Sequence, residues 1–418
     1  MNEQQTNAPA ELTPPAGLTL PNYSDGSIAN IAPTIAQMLG VPFQGMPVLR
    51  SELWQPLGDD IQRVVLFLID GFGKNLLRPD NPQTAAFTAG TEIIDQVTSV
   101  FPSTTVNAMS AVWTGSAPAH HGLVGLNILF PEFGTIGQTI HWTPAFQFRP
   151  EALVQAGQNP KHFLRTPGVG QQFARASVPV YALKSYQFDR SALSLMHGRG
   201  VKKTFPCINM SDIVFELREL LESKPGKKML AVGYWHTVDT LSHKYGPHHP
   251  AIQSDLGAIL EMIQRELIEQ LSPAARAGTA LIITGDHGQV HTPLDKTIHY
   301  EKDKTINEML LMRPAGEPRV PYFFARQGAV VDLLDYLGEQ YAAEMWALHA
   351  EEAIATGLFG PMPHLPELRQ RIGDVVAVMR ADYTYKLAGD VERAFLGTHG
   401  SLSPDEMEIA WLARRLDR

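Results

Sequence analysis

Three short, uninterrupted apolar runs constrain this chain more than any other feature: Arg63–Asp70 (RVVLFLID), Lys228–Trp235 (KMLAVGYW) and Thr279–Thr284 (TALIIT). A strand covered on both faces reads this way, because neither face meets water. Helical patterns lie between the runs, over Asp212–Glu222 and Ile252–Leu271. In the second, Ile252, Leu256, Leu260, Ile263 and Leu267 recur at spacings of three and four, which marks one buried helical face. Strands alternating with helices predict an α/β fold: a doubly wound, mostly parallel sheet flanked by helices.

A length of 418 residues suits one large α/β domain carrying an insertion. Residues 1–20, rich in Pro, Gln and Asn, read as a flexible arm. The main domain is expected over 21–299 and 391–418, with 300–390 forming a small inserted α+β subdomain. Within that insertion the pattern predicts strands at Val320–Arg326 and Asp374–Met379 and helices at Ala329–Leu337 and Ala342–Thr356.

Composition removes several function classes. A net charge of −9 argues against binding duplex nucleic acid, which demands a basic surface. The single cysteine, Cys207, permits neither an intramolecular disulfide framework nor a cysteine-rich zinc site. The N-terminal stretch has no basic segment followed by an apolar one, and no apolar run approaches 18 residues. A cytoplasmic protein without a membrane partner is therefore expected, and the sequence specifies no oligomeric state.

Each apolar run is closely followed by an acid: Asp70 in Asp70-Gly71-Phe72-Gly73, Asp239 in VDTLSHKYGP, and Asp286 in TGDHG. Ligands of doubly wound sheets bind beyond the carboxyl ends of the strands, where three such carboxylates converge. A single acid there is usually a turn or a cap, but two of these three have a histidine close by. His243 lies four residues after Asp239, on the same face of a helix, and His287 directly follows Asp286. A second ion then needs Asp70, and Gly397-Thr398-His399-Gly400 offers a further imidazole between small residues. Carboxylate and imidazole together suit zinc, manganese or iron.

After a strand-like stretch, Ile93–Val100, comes Phe101-Pro102-Ser103-Thr104-Thr105-Val106-Asn107 and then an apolar helical pattern. Thr104 and Thr105 stand at the helix start, where free N–H groups favour an anion or an alkoxide. Plain capping by Ser103 or Thr104 produces the same local pattern. Among the other histidines, His120, His236, His248 and His249 lie beside motifs, while His291 and His299 follow the Asp-His-Gly loop. Arg371 and Asp374 read as a surface ion pair.

The ordered set resembles the alkaline phosphatase superfamily, in particular its type I phosphodiesterase/nucleotide pyrophosphatase family. The shared elements are Asp70-Gly71, a nucleophile ten residues before Gly115, Pro118 through His121-Gly122, Asp239-x-x-x-His243 with Gly246-Pro247, Gly285-Asp286-His287-Gly288 and Thr398-His399-Gly400. The resemblance implies an alkaline phosphatase-like fold and selects Thr105 over Thr104 as nucleophile. It implies two divalent metal ions, zinc foremost, one held by Asp239, His243 and His399 and the other by Asp70, Asp286, His287 and Thr105. It also implies an asparagine that holds a phosphoryl oxygen, for which Asn127 is the candidate and Asn107 the rival.

The implied activity is hydrolysis of phosphodiesters or nucleotide pyrophosphates, small-molecule substrates, through a covalent phosphothreonine. A sulfatase is excluded, since Thr105-Val-Asn-Ala-Met lacks the Cys/Ser-x-Pro-x-Arg motif. Phosphonoacetate hydrolase-like cleavage and phosphomonoester hydrolysis are alternatives on the same ligand set. The metal-dependent phosphoglycerate mutases share the ligands but use serine in another context. A catalytically silent metal- or nucleotide-binding protein is the alternative of a different class.

Overall fold

The structure is a computed structural model and describes residues 13–147, 149–386 and 395–418. Residues 1–12 of the expected arm, and 387–394 at the end of the expected insertion, lie outside the described residues. Along the chain come β1 (Arg63–Ile69), β2 (Ile93–Thr98), β3 (Asn127–Phe130), β4 (Thr135–Gln138), β5 (Thr143–Pro144), β6 (Val180–Ser185), β7 (Lys203–Cys207), β8 (Met229–Trp235) and β9 (Thr279–Thr284). There follow β10 (Val290–His291), β11 (Thr297–His299), β12 (Ala315–Glu317), β13 (Val320–Phe323), β14 (Met345–His349), β15 (Val375–Met379), β16 (Thr384–Lys386), β17 (Gly397–Thr398) and β18 (Glu408–Arg415).

The three apolar runs become β1, β8 and β9, which lie side by side in a seven-stranded sheet ordered β2-β18-β9-β1-β8-β6-β7. The pairs β9–β1, β1–β8, β8–β6 and β6–β7 are parallel. Only β18, which runs antiparallel between β9 and β2, breaks the pattern. Every residue of β1 is buried. Val64, Leu66 and Leu68 join the core on one face of the sheet, while Val65, Phe67 and Ile69 join the core on the other. Helices on both faces explain why no polar residue alternates in this strand.

A second seven-stranded sheet, ordered β14-β15-β13-β12-β3-β4-β5, draws its strands from two separated stretches of chain. The strands at 127–144 join those at 315–379, so this sheet extends beyond the stretch 300–390. Two local expectations need correction. Residues 342–356, read as one helix, form strand β14 followed by the helix Ala350–Ala355. Pairing of Met345–His349 with β15 overrides the local helical preference. The helix begun at Pro250 ends at Met262 and continues as a π-helix over Ile263–Ile268.

Candidate metal and nucleophile centre

Asp70 closes β1, and Gly71 turns the chain with φ +76°. A Cβ on Gly71 would lie 3.0 Å from Cα of Asp239, so only glycine lets these two strand ends approach. The Asp239 amide donates to the Asp70 carbonyl at 3.0 Å, and the Gly71 amide donates to Oδ1 of Asp286 at 3.1 Å. Backbone thus ties three acid-bearing turns into one cluster. The short pair β10–β17 adds the fourth piece, setting the Thr-His-Gly loop beside the Asp-His-Gly loop.

The six ligand candidates gather into two groups: Asp239 with His243 and His399, and Asp70 with Asp286 and His287. In the first group, Oδ1 of Asp239 lies 3.4 Å from Nε2 of His243 and 3.7 Å from Nε2 of His399. In the second, Nε2 of His287 lies 3.4 Å from Oδ1 of Asp70 and 3.5 Å from Oδ2 of Asp286. The rings of His287 and His399 stack with centroids 3.6 Å apart, so the two groups adjoin.

Each histidine is oriented by its other nitrogen. Nδ1 of His243 bonds the Gly397 carbonyl at 2.7 Å, that of His287 the Gly288 carbonyl at 3.1 Å, and that of His399 the Ser103 carbonyl at 2.9 Å. A proton on each Nδ1 leaves the Nε2 lone pair free for a cation. Oδ1 of Asp70 and Oδ2 of Asp286 are buried without a hydrogen-bond partner, and both stand next to Nε2 of His287. Buried carboxylate oxygens left unpaired are costly, and a divalent cation there satisfies them. Burial, with the Asp286 and Asp239 carboxylates adding to it, pushes the Asp70 carboxyl well above its usual range. Burial and the neighbouring imidazoles of His287 and His243 hold His399 well below its usual value, hence neutral. The residues present fit metal ions at both groups.

Thr105 is the first residue of the helix Thr105–Thr114, and its Oγ1 lies 3.1 Å from Nε2 of His287. Thr104 takes the N-cap position without a side-chain capping bond, and the Ser103 hydroxyl donates instead to the Ser401 carbonyl at 2.7 Å. Side-chain capping therefore does not account for either threonine or for Ser103. Gly115 ends the helix in the left-handed conformation, φ +64°, which makes it a glycine position.

Asn127 is buried and belongs to the second sheet. It sits in β3, where its Nδ2 donates to the Gly316 carbonyl at 3.2 Å across the second sheet. Its rival Asn107 is buried in the nucleophile helix and donates to the Pro102 carbonyl at 3.0 Å. His120 bonds the Pro361 carbonyl and His249 caps the Ala251 amide, both structural uses. The expected Arg371–Asp374 pair does not form. Asp374 pairs with Arg369 at 2.8 Å, while Arg371 is buried over the Phe163 ring.

Several supporting residues escaped the sequence reading. The Tyr234 hydroxyl donates to Oδ2 of Asp70, and the Gln289 amide donates to Oδ1 of Asp239. Burial and the nearby acids push the Tyr234 phenol well up, which keeps it a donor. Beyond Thr105 opens a cavity of about 640 Å³, whose lining includes Trp113, Lys184, Phe188, Tyr234 and His236. His236, one of the motif-flanking histidines, meets the Phe188 ring edge-on there.

Glu406 anchors the His399 loop from behind. Its buried carboxylate accepts from Arg319 at 3.0 and 2.7 Å, from the Ser401 amide at 2.9 Å and from the Ser403 hydroxyl at 2.6 Å. Its carbonyl accepts the Gly288 amide at 2.9 Å. Arg319 lies between β12 and β13, so this ion pair fastens the second sheet to both histidine loops.

The sequence pattern of the type I phosphodiesterase/nucleotide pyrophosphatase family matches residues 64–402. The chain belongs to this family. It is thereby a phosphodiesterase/nucleotide pyrophosphatase-like hydrolase, and the family is metal-dependent. No curated protein matches the chain by sequence. Among solved structures, human ectonucleotide pyrophosphatase/phosphodiesterase 5 is similar at 19% identity and TM-score 0.63, covering 84% of this chain and 88% of that one. An inactive variant of the murine counterpart in complex with AMP gives 19% identity and TM-score 0.62, with the same coverage. Phosphonoacetate hydrolase from Sinorhizobium meliloti, in complex with phosphonoformate, gives 19% identity and TM-score 0.61, covering 85% and 90%. These likenesses establish the alkaline phosphatase-like fold for this member of the family. No helix among the described residues is long and apolar enough to cross a membrane.

Proposed function

We propose that this chain hydrolyses phosphodiesters or nucleotide pyrophosphates with Thr105 as nucleophile and two divalent cations, zinc foremost, at the two Asp/His groups. The observation that carries the reading is the placement of the Thr105 hydroxyl, 3.1 Å from His287 and at a helix N-terminus, beside two buried and unpartnered carboxylate oxygens. Bound divalent cations would supply Lewis acidity, favouring the alkoxide of Thr105 near neutral pH and neutralising charge on the phosphoryl oxygens. Thr105 attacks phosphorus in line; its Oγ–P bond forms as the bond to the leaving oxygen breaks, and a phosphothreonine results. Water then hydrolyses that ester and restores the hydroxyl. The free amide groups at the start of the helix Thr105–Thr114 would favour negative charge developing beside Thr105. Tyr234 and Gln289 hold Asp70 and Asp239 in position through the turnover.

A second reading, cleavage of a carbon–phosphorus bond, is supported by the fold likeness to phosphonoacetate hydrolase and uses the same residues. A metal-reconstituted assay separates the two: a nitrophenyl nucleotide diester and bis-nitrophenyl phosphate against nitrophenyl phosphate and phosphonoacetate. Dominant turnover of the diesters supports the first reading. Dominant turnover of the phosphonate or the monoester overturns it.

A further inference from the structure

The cavity beyond Thr105 does not end at its aromatic wall. It continues into a second cavity of about 470 Å³, and the two share Lys184, Asp189, Arg190 and Ser194 in their linings. Lys184 therefore stands at the junction. The second cavity is lined by Lys161, His162, Arg190 and Arg199 as well, with Asp189 the one acid on its described lining. On a chain with a net charge of −9, this is a local reversal of sign.

Asp189 is the one carboxylate on the lining set against these basic groups. The Lys184 ammonium donates to the Ser194 hydroxyl at 2.6 Å, a neutral partner. Burial pushes its pKa down to about 8, with Asp189 only partly offsetting. Arg199 donates to three backbone carbonyls, those of Met196, Leu164 and Thr166, and burial lowers its pKa too. Asp189 pairs with the exposed Arg190 at 3.8 Å. Lys184 and Arg199 are the desolvated members and Lys161 and Arg190 the exposed ones; like charges so gathered repel one another, and an anion seated among them relieves that repulsion.

We propose that this second cavity is a subsite for a second anionic group of the substrate, a phosphate or a carboxylate joined by a spacer to the phosphorus that Thr105 attacks. The inference rests on the hydrolase reading above and narrows it to substrates with two separated anionic groups. Lys184 and Arg190 meet the substrate at the junction, and Lys161 lies in the second cavity alone. Nothing in the reaction at phosphorus changes; the second group contributes binding and orientation.

The test uses nitrophenyl phosphodiesters that differ only in the end of an alkyl arm: uncharged, carboxylate or phosphate. With the metal-loaded full chain, kcat/KM is expected to be at least about tenfold higher for a charged arm, chiefly through KM, and the preference should shrink as salt rises. Which charged arm is preferred tells carboxylate from phosphate. The Lys161→Gln/Arg190→Gln double variant alters exposed side chains, so folding is not at stake, and Lys184→Met probes the junction. Both should bring the ratio of charged to uncharged arms to within about threefold. Equal rates for all arms in the unmodified chain, or an unchanged ratio in the variants, overturns the proposal. An independent arm measures binding of butane-1,4-diyl bisphosphate to the metal-free chain by calorimetry. Binding weakened at least about fivefold in the double variant supports the subsite even if no diester is turned over, in which case the hydrolase reading fails alone. Equal binding to both proteins sinks the subsite whatever the catalytic outcome.

Discussion

The hydroxyl of Thr105 lies 3.1 Å from Nε2 of His287, the same nitrogen that stands 3.4 Å from Asp70 and 3.5 Å from Asp286. One imidazole edge thus faces the nucleophile and both carboxylates of its group. Thr105→Ala removes the attacking oxygen and leaves the Asp/His ligands untouched. Its kcat should fall at least about a thousandfold with metal content retained, whereas Thr105→Ser should keep far more activity. Near-normal turnover by the alanine variant would remove Thr105 from the chemistry.

The two ligand groups should lose metal separately. Asp286→Asn withdraws a charge from the group facing Thr105, and His399→Ala withdraws an imidazole from the other. Elemental analysis after dialysis should show about one equivalent of metal fewer in each variant than in the unmodified chain. Full metal content in both would mean that the ions sit elsewhere.

Removing metal from the whole protein should abolish turnover and lower stability. The unpaired oxygens of Asp70 and Asp286 then carry their desolvation cost again. With free metal at a hundred times its Kd, a single site adds about 2.7 kcal/mol. Scanning calorimetry with and without a chelator should show a clear drop in Tm, restored by zinc. An unchanged Tm would count against cations at these groups.

The Arg319–Glu406 pair should matter for placement as well as stability. Both side chains are fully buried, so removing one partner strands the other and costs about 3–5 kcal/mol. Glu406→Gln should therefore lower the urea midpoint and also weaken metal at the His399 group more than at the His287 group. A paired exchange, Arg319→Met with Glu406→Leu, should recover part of the stability without restoring metal affinity. Equal effects on both metal groups would reduce the pair to a structural role.

His121 gives a signed pH dependence away from the ligands. It is buried, and desolvation, with His120 and Arg371 adding to it, holds its pKa down to about 3 against the usual 6.5. The unfolded chain takes up a proton as pH falls below 6.5, and the folded chain does not until about 3. Stability from this group is complete above 6.5 and is lost progressively below it, at up to about 1.4 kcal/mol per pH unit. His121→Asn should flatten the fall in urea stability between pH 6.5 and 4; a slope equal to that of the unmodified chain would contradict the assignment.

Five of the six Asp/His residues that gather here could be picked out because each follows an apolar run or stands next to or one helix turn from an acid that does, as His243 does from Asp239, while His399 came only from its Gly-Thr-His-Gly motif and the family resemblance. Apolar runs placed β1, β8 and β9 for the same local reason. What escaped is non-local. The sequence does not show what holds Asn127, whose amide donates to Gly316, 189 residues further along the chain. Tyr234 and Gln289 act only through carboxylates that the fold brings to them. The helix expected at 342–356 gave way to an edge strand because β15 offered it hydrogen bonds. The basic recess around Lys184 has no motif, since its groups come from four separate stretches of chain.

Strand β18 carries a consequence for the order in which the protein is made. It lies between β9 and β2, and β2 has no other neighbour in that sheet. A ribosome delivers Thr105 about 300 residues before it delivers β18. Until then, the strand leading into the nucleophile has an open edge exposed to any passing chain, a known route to aggregation. The nascent protein should accordingly depend on chaperones through most of its synthesis, and destabilising changes in β18 should show first as lost yield of soluble protein.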